Sequence, residues 1–436
     1  MRVDAKTFVE FGLRTNSGGL GPLAQLIDRC ETRLGKAALG KLLGAPRTDT
    51  REIRALQDTA RRLASDLEIF AIPDAAVESV EKYRSSRVVL SPHRGARARI
   101  EDALVRARYR DQYREIETGI EAVRELGSLL GATLDGLGRD GAHTEGALLR
   151  RLRFLVELEG RAELHRATLE TDAWLRGEAA DGLEDALAAL GELDALRTIG
   201  LTHAMPGWST PVVLDAGPPE LAAEGLFHPL VPNAVANDIE LSGDRTSLFL
   251  TGPNMGGKST FIRSIGLSAL LAQTGAAVPA RSYRIRPFEA IHTNLNPADS
   301  VEEGVSLYLR EVLTVRAAAE SLANGDRSLV LFDEVFRSTN VLDATEATAI
   351  TVNGLSQGPC VGIFSSHLHG VRDGLTSPRV ACGKFEASAA GEDLTFDYEL
   401  TEGVSEQRVG MRIMSRTGTA ALLDDLAESS PLDRPS

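Results

Sequence analysis

The sequence predicts an α/β domain with a largely parallel sheet, preceded by an all-helical half. Three observations carry this. Residues 1 to about 204 are dominated by Ala, Leu, Glu and Arg, with apolar positions at helical spacing and few strand-like runs. Near residue 205 the composition switches. Val212-Val213-Leu214, Ser247 to Leu250, Leu329 to Phe332 and Val361 to Phe364 read as strands, and helical patterns from Phe261, Leu307 and Ala344 separate several of them. One of those strands runs into a glycine-rich loop that opens a helix. The expected division is 1–204, helical, and 205–436, α/β, with added antiparallel strands late in the chain.

In chain order, Leu23, Leu26 and Ile27 begin an apolar face, and Leu34, Ala38, Leu42 and Leu43 continue one after a break. Pro46 ends that segment, because a proline pushes its predecessor out of the helical region. Thr50-Arg51-Glu52 opens the next helix, marked by Ile53, Leu56, Ala60 and Leu63. Leu148, Leu152, Leu155 and Val156 share one stripe of a longer helix that starts near Glu145. Ser91 to Gly95, Gly136 to Gly141 and Met205-Pro206-Gly207 read as linkers. The stripes are core faces and are assigned no chemistry. Thr395 to Leu400 alternates Phe396, Tyr398 and Leu400 with polar residues and is expected to pair with Val380 to Ala387 as a hairpin.

Bulk composition narrows the class. A chain of 436 residues with 43% hydrophobic and 25% charged residues is long enough for two or three domains with real cores. Cys30, Cys360 and Cys382 are too few and too scattered for a disulfide framework or a zinc site, which suits a reducing cytoplasm. The N-terminus, MRVDAKTFVEFG, has no apolar signal core. The longest apolar stretch, Ile265 to Ala280, is broken by Gln273 and Pro279 and reads as a helix and its exit, not a membrane span.

The formal net charge of −14 disfavours nucleic acid if spread evenly, and it is not spread evenly. Residues 81–114 hold Lys82, Arg84, Arg87, Arg94, Arg97, Arg99, Arg106, Arg108, Arg110 and Arg114 against four acidic residues. Residues 170–226 hold eleven acidic residues with only Arg176 and Arg197. The basic run is either a phosphate-contacting surface or a solvated helix face whose Arg stems cover apolar surface; composition does not choose between them.

The chemistry concentrates in three motifs. Thr251-Gly252-Pro253-Asn254-Met255-Gly256-Gly257-Lys258-Ser259-Thr260 fits the phosphate-binding P-loop. Gly252 and Gly257 let the backbone turn where a β-carbon would clash, and the loop amides then form an anion nest at a helix N-terminus. Lys258 is placed to reach β- and γ-phosphates, and the Ser259 hydroxyl to ligand Mg²⁺. The second motif is Ser328 to Glu334, a buried strand ending in two carboxylates. Asp333 is expected in the Mg²⁺ shell and Glu334 as the base that polarises water, which favours hydrolysis over phosphoryl transfer by a kinase. Third, Cys360 to Phe364 runs into Ser365-Ser366-His367, where a histidine can sense the γ-phosphate; a structural histidine at a strand end is the bland alternative.

Together these residues resemble the MutS family of DNA mismatch-repair ATPases. The likeness lies in the loop with its Asn254 and Met255, and in Asp333 to Asn340, similar to the family's Asp-Glu-x-x-Arg-Gly-Thr run with Ser338 in place of glycine. Phe364 to His367 resembles its Ala-Thr-His switch, and Phe227-His228-Pro229-Leu230 its Arg-His-Pro entry, with Phe227 replacing arginine. Asp299 to Tyr308 is similar to its signature loop, with Val305 where arginine is usual; Ser306 is then implied to reach the ATP of a second subunit. Thr32 to Gly35, Leu39, Leu42-Leu43, Pro46, Asp49, Ile53 and Gln57 are similar to the start of the family's lever domain.

The resemblance covers roughly residues 17–65 and 205–415. It implies an ABC-type ATPase domain on a helical lever, using ATP and Mg²⁺ in a homodimer with composite sites, and acting on DNA, with other repair proteins as candidate partners. No mismatch-reading or connector domain is expected before residue 17, the clamp is expected to be shortened, and Phe8-Val9-Glu10 matches the mismatch wedge only by letters. The family's adenine-stacking aromatic is expected near Ala234 to Asn237, where this sequence has none.

Overall fold

The computed structural model describes residues 1–66, 72–88, 90, 98–135, 143–158, 167–295, 307–390, 393–405, 407 and 414–428. Two short helices come first, α1 (Ala5–Glu10) and α2 (Pro22–Ile27). A helical array follows: α3 (Arg33–Leu43), α4 (Thr50–Asp66), α5 (Asp74–Ser85), α6 (Ala98–Arg108), α7 (Arg110–Asp135), α8 (His143–Leu158), α9 (Thr168–Arg176) and α10 (Ala180–Leu201).

The array is built around α10, which packs against α3, α4 and α8. That helix is apolar on almost every side, with Leu187, Leu190, Leu193 and Leu196 buried, as a helix enclosed by neighbours must be. Its one fully buried acid, Asp194, accepts hydrogen bonds from Thr32 N–H (2.9 Å) and Thr32 Oγ1 (2.8 Å). Thr32 also caps α3 by accepting from Gly35 N–H at 2.9 Å, so one residue starts a helix and ties it to the central one. Val77, Val80, Ile116, Val123, Leu126, Leu152 and Leu155 complete this core.

Past Thr202 the chain forms strands β1 (Val212–Val213), β2 (Leu221–Leu226), β3 (Asn237–Leu241) and β4 (Ser247–Thr251), then α11 (Lys258–Gln273), β5 (Ser282–Ile285), β6 (Ala290–Asn294), α12 (Leu307–Ala323), β7 (Ser328–Asp333), α13 (Val341–Leu355) and β8 (Cys360–Ser365). The last elements are β9 (Val380–Lys384), β10 (Ala387–Ala390), β11 (Asp393–Phe396), β12 (Thr401–Glu402) and α14 (Thr419–Glu428). The central sheet runs β12-β9-β4-β8-β7-β6, parallel throughout except for β12. A second sheet runs β1-β5-β2-β3 and mixes parallel and antiparallel pairs. β4, β7 and β8 are buried at every position, which is why they read as continuous apolar runs.

The late hairpin differs from expectation. Val380–Lys384 does not fold back on Thr395–Leu400; it joins the central sheet parallel to β4. The hairpin is the shorter β10–β11 pair, in which only Ala387 faces Phe396, and Thr401–Glu402 pairs with β9 instead. The small residues of β9 explain this: a β-carbon on Gly383 would stand 2.9 Å from Leu400 and 3.2 Å from Leu248. Strands β2, β3, β5 and β6 were not legible from their mixed composition.

The first residues pack into the core that carries the sheet. Phe8, Phe11, Leu13 and Ile27 share a core with Ile262, Ile265, Leu331 and Ile363, each large apolar side chain contributing about 1.5–3 kcal/mol on burial. Phe8 and Glu10 are thereby accounted for: Phe8 is 5% exposed with the Arg14 guanidinium over its ring, and Glu10 Oε2 accepts from Thr293 Oγ1 at 3.0 Å. Among the described residues no helix is long and apolar enough to cross a membrane.

Candidate nucleotide site

β4 delivers the chain from the middle of the sheet to a loop at its C-terminal edge, where ligands sit in open α/β sheets. Gly252 turns with φ +137° and Gly257 with φ +104°, conformations that side chains seldom adopt. A β-carbon on Gly252 would also meet the Phe385 carbonyl oxygen at 2.3 Å. Met255 takes φ +71° and projects outward, 76% exposed. α11 starts at Lys258, three residues earlier than its apolar pattern suggests, with Gly257 at its N-cap position.

Lys258 is 3% exposed, and its Nζ donates to the carbonyls of Gly252 (2.7 Å) and Pro253 (3.0 Å). Burial depresses its pKa, while Glu334 and Asp333 oppose that shift. The carboxylates arrive on β7. Asp333 pairs in register with Ser365 of β8, and Ser365 Oγ donates to Asp333 Oδ1. The same hydroxyl oxygen accepts Glu334 N–H at 3.2 Å, and the Ser365 carbonyl accepts it at 3.1 Å. Glu334 leaves the strand with φ +54°, which turns its side chain out of the sheet register. His367 Nδ1 stands 3.7 Å from Glu334 Oε1. The His367 imidazole beside it holds the Glu334 pKa below its ordinary value against a desolvation that would raise it, and the neighbouring carboxylate raises that of His367.

These groups meet at one cavity of about 720 Å³. Pro253, Asn254, Met255, Gly256, Gly257, Lys258, Ser259 and Thr260 line it together with Asp333 and Glu334. Gly252 and His367 do not line it themselves: Gly252 accepts from Lys258 Nζ, and His367 stands beside Glu334. Ser306 and the loop from 296 lie outside the described residues, as do Arg94 and Arg97 of the basic run.

The wall near Ala234, Val235 and Asn237 has no aromatic, as the sequence indicates, but Tyr398 supplies one from elsewhere. Its ring would stand 3.3 Å from a β-carbon on Gly257, so it lies over the phosphate loop. Asn237 holds it there: its Nδ2 donates to the Tyr398 carbonyl (3.0 Å) and its Oδ1 accepts Leu400 N–H (2.6 Å). Phe396 stacks on Tyr398 with centroids 5.9 Å apart. The sequence signal for Tyr398 was present only as alternation in a presumed strand, and nothing local linked it to a residue 161 positions earlier.

The comparisons agree with this geometry. Residues 248–428 match the family model for MutS domain V. The DNA mismatch repair protein MSH3 of Pyricularia oryzae is 33% identical over 257 residues, covering 53% of this chain and 22% of that protein. The DNA mismatch repair protein MSH6 of Arabidopsis thaliana is 32% identical over 255 residues (53% and 19%), and DNA mismatch repair protein MutS 1 of Haloarcula marismortui 31% over 266 (58% and 28%). The chain thus spans about a fifth to a quarter of the length of these relatives. Its C-terminal half is thus similar to MutS domain V and to the corresponding part of these mismatch-repair proteins.

Proposed function

We propose that the chain binds and hydrolyses ATP with Mg²⁺, and that the nucleotide state moves the helical half on DNA in repair or recombination, without direct mismatch reading. The convergence of Lys258, Asp333 and Glu334 on one nucleotide-sized cavity at the sheet's C-terminal edge carries this reading. The triphosphate would lie on the Gly252–Thr260 amides, with Lys258 exchanging its two carbonyl partners for phosphate oxygens. Ser259 and Asp333 fit Mg²⁺, which takes one or two protein oxygens beside phosphates, and the ion would neutralise phosphate charge. Glu334 would take the proton of the attacking water, and His367, now engaged on that carboxylate, would report the γ-phosphate. Tyr398 would stack on the base.

A homodimer with composite sites, to which Ser306 contributes, completes the reading, and the lever would swing through differential contacts to ATP and ADP. A cytoplasmic setting suits the three free cysteines. Arg108, Arg110 and Arg114 are exposed on the helical half and suit a phosphate backbone. The net charge of −14 favours a second reading, an ATP-driven switch on a protein partner without DNA.

Steady-state ATP turnover at low salt, alone and with duplex, mismatched, branched or single-stranded DNA, separates the two readings. Turnover changed by one DNA, with the effect abolished by salt and weakened when those arginines are neutralised, supports DNA action. Turnover indifferent to every DNA supports the protein switch. Glu334→Gln should retain ATP without hydrolysing it; normal turnover by that variant would remove the assignment of the base.

A further inference from the structure

One buried carboxyl has no part in the chemistry above. Glu311, one turn into α12, is 1% exposed. Its Oε2 accepts from Ser338 Oγ at 2.8 Å, and the backbone amides of Phe336 and Arg337 face the same carboxyl. Its Oε1 accepts no hydrogen bond. A buried carboxyl is costly to keep, and this one is aimed wholly at the segment that follows Glu334.

That segment is strained. Glu334 has φ +54° and, two residues on, Phe336 has φ +65°, both left-handed conformations that residues with side chains seldom adopt. Such a backbone persists only when its surroundings over-determine it. The Ser365 bonds fix its start, and Glu311 fixes its far end. The Phe336 ring packs on Tyr308 of the same helix α12, with centroids 5.7 Å apart. Arg337, between these anchors, lines the nucleotide cavity.

We propose that Glu311 is a positioning residue that holds the 334–338 turn from α12, and so sets the direction in which Glu334 presents its carboxylate. This rests on the reading of Glu334 as the base. Ser338 is part of the device: the resembling motif has glycine there, which could offer Glu311 no hydroxyl.

The test is kinetic, on the full chain. Glu311→Ala should lower kcat about ten-fold or more, and Ser338→Ala about three-fold, with KM and the ADP dissociation constant within about two-fold of wild type. Glu311→Gln keeps an oxygen for Ser338 Oγ and should restore most of kcat. Unchanged kcat in Ser338→Ala and Glu311→Ala would overturn the inference, as would loss of ADP affinity in step with kcat, the mark of a merely structural role. If Glu311→Ala does not fold, Ser338→Ala and Glu311→Gln still decide it. Glu334→Gln is the control: if it turns over normally, the proposed function itself fails. If it stops while both Ser338→Ala and Glu311→Ala keep wild-type kcat, only the role of Glu311 fails.

Discussion

Replacing Lys258 by methionine separates the lysine's role in the fold from its role toward phosphate. The side chain becomes one atom shorter and loses its charge. The ammonium donates to two carbonyls of its own loop, at 2.7 and 3.0 Å, from a position 3% exposed. Hydrogen bonds to a charged group contribute about 1.5–3 kcal/mol each. Desolvating the ammonium costs several kcal/mol, and the same burial pushes its pKa down. The two effects nearly cancel, so the ligand-free stability of Lys258→Met should lie within about 1–2 kcal/mol of wild type. Nucleotide at about 100 times its dissociation constant adds about 2.7 kcal/mol to the folded state. For a domain of this size that is a rise in Tm of about 5–10 °C. Scanning calorimetry with and without MgADP should show that rise in wild type and almost none in Lys258→Met. An equal rise in the variant would refute the placement of phosphate at this loop.

Other outcomes follow from single contacts. A β-carbon on Gly266 would stand 2.2 Å from the Phe11 ring and 2.8 Å from Leu331, so Gly266→Ala should cost about 1–3 kcal/mol in urea unfolding. Adding Phe11→Leu should recover part of that; an additive loss would contradict the packing. Tyr398→Ala should weaken ADP about five-fold, as an aromatic contact worth about 1 kcal/mol implies, and Tyr398→Phe should not; equal loss in both would implicate the hydroxyl instead. His203, at the junction of the halves, has Nδ1 2.7 Å from Thr210 Oγ1 and Nε2 3.1 Å from the Gly275 carbonyl, so Nε2 donates and Nδ1 accepts. Burial lowers its pKa from 6.5. The unfolded chain therefore takes up a proton that the folded chain refuses, and stability falls as pH drops through 6.5. His203→Gln should flatten the loss of urea midpoint between about pH 7.5 and about pH 5.5; an unchanged slope would rule His203 out as its source.

What the sequence disclosed of the site is what short-range chemistry compels. A phosphate loop needs its glycines, lysine and hydroxyl within one turn, so residues 252–260 are legible as a string, and the acidic pair is legible because a buried strand must end where its carboxylates begin. The same logic makes β4, β7 and β8 plain, since strands buried on both faces lose their alternation. The half-exposed strands β2 and β3 mix Glu224, Asp238 and Glu240 among their apolar positions and pass for loops. Positioning is another matter, because it is supplied across the fold. Asn237 acts on Tyr398, and Ser365 on Asp333, from separate strands and loops. Ser338 shows the limit most clearly. The sequence reveals it as a departure from glycine, but a departure has no meaning until its partner is known, and that partner, Glu311, lies 27 residues back on a helix whose pattern reads only as core. A buried acid on such a helix has to be supported by some other segment, so the residues it faces are where to look for the constraint that keeps it there.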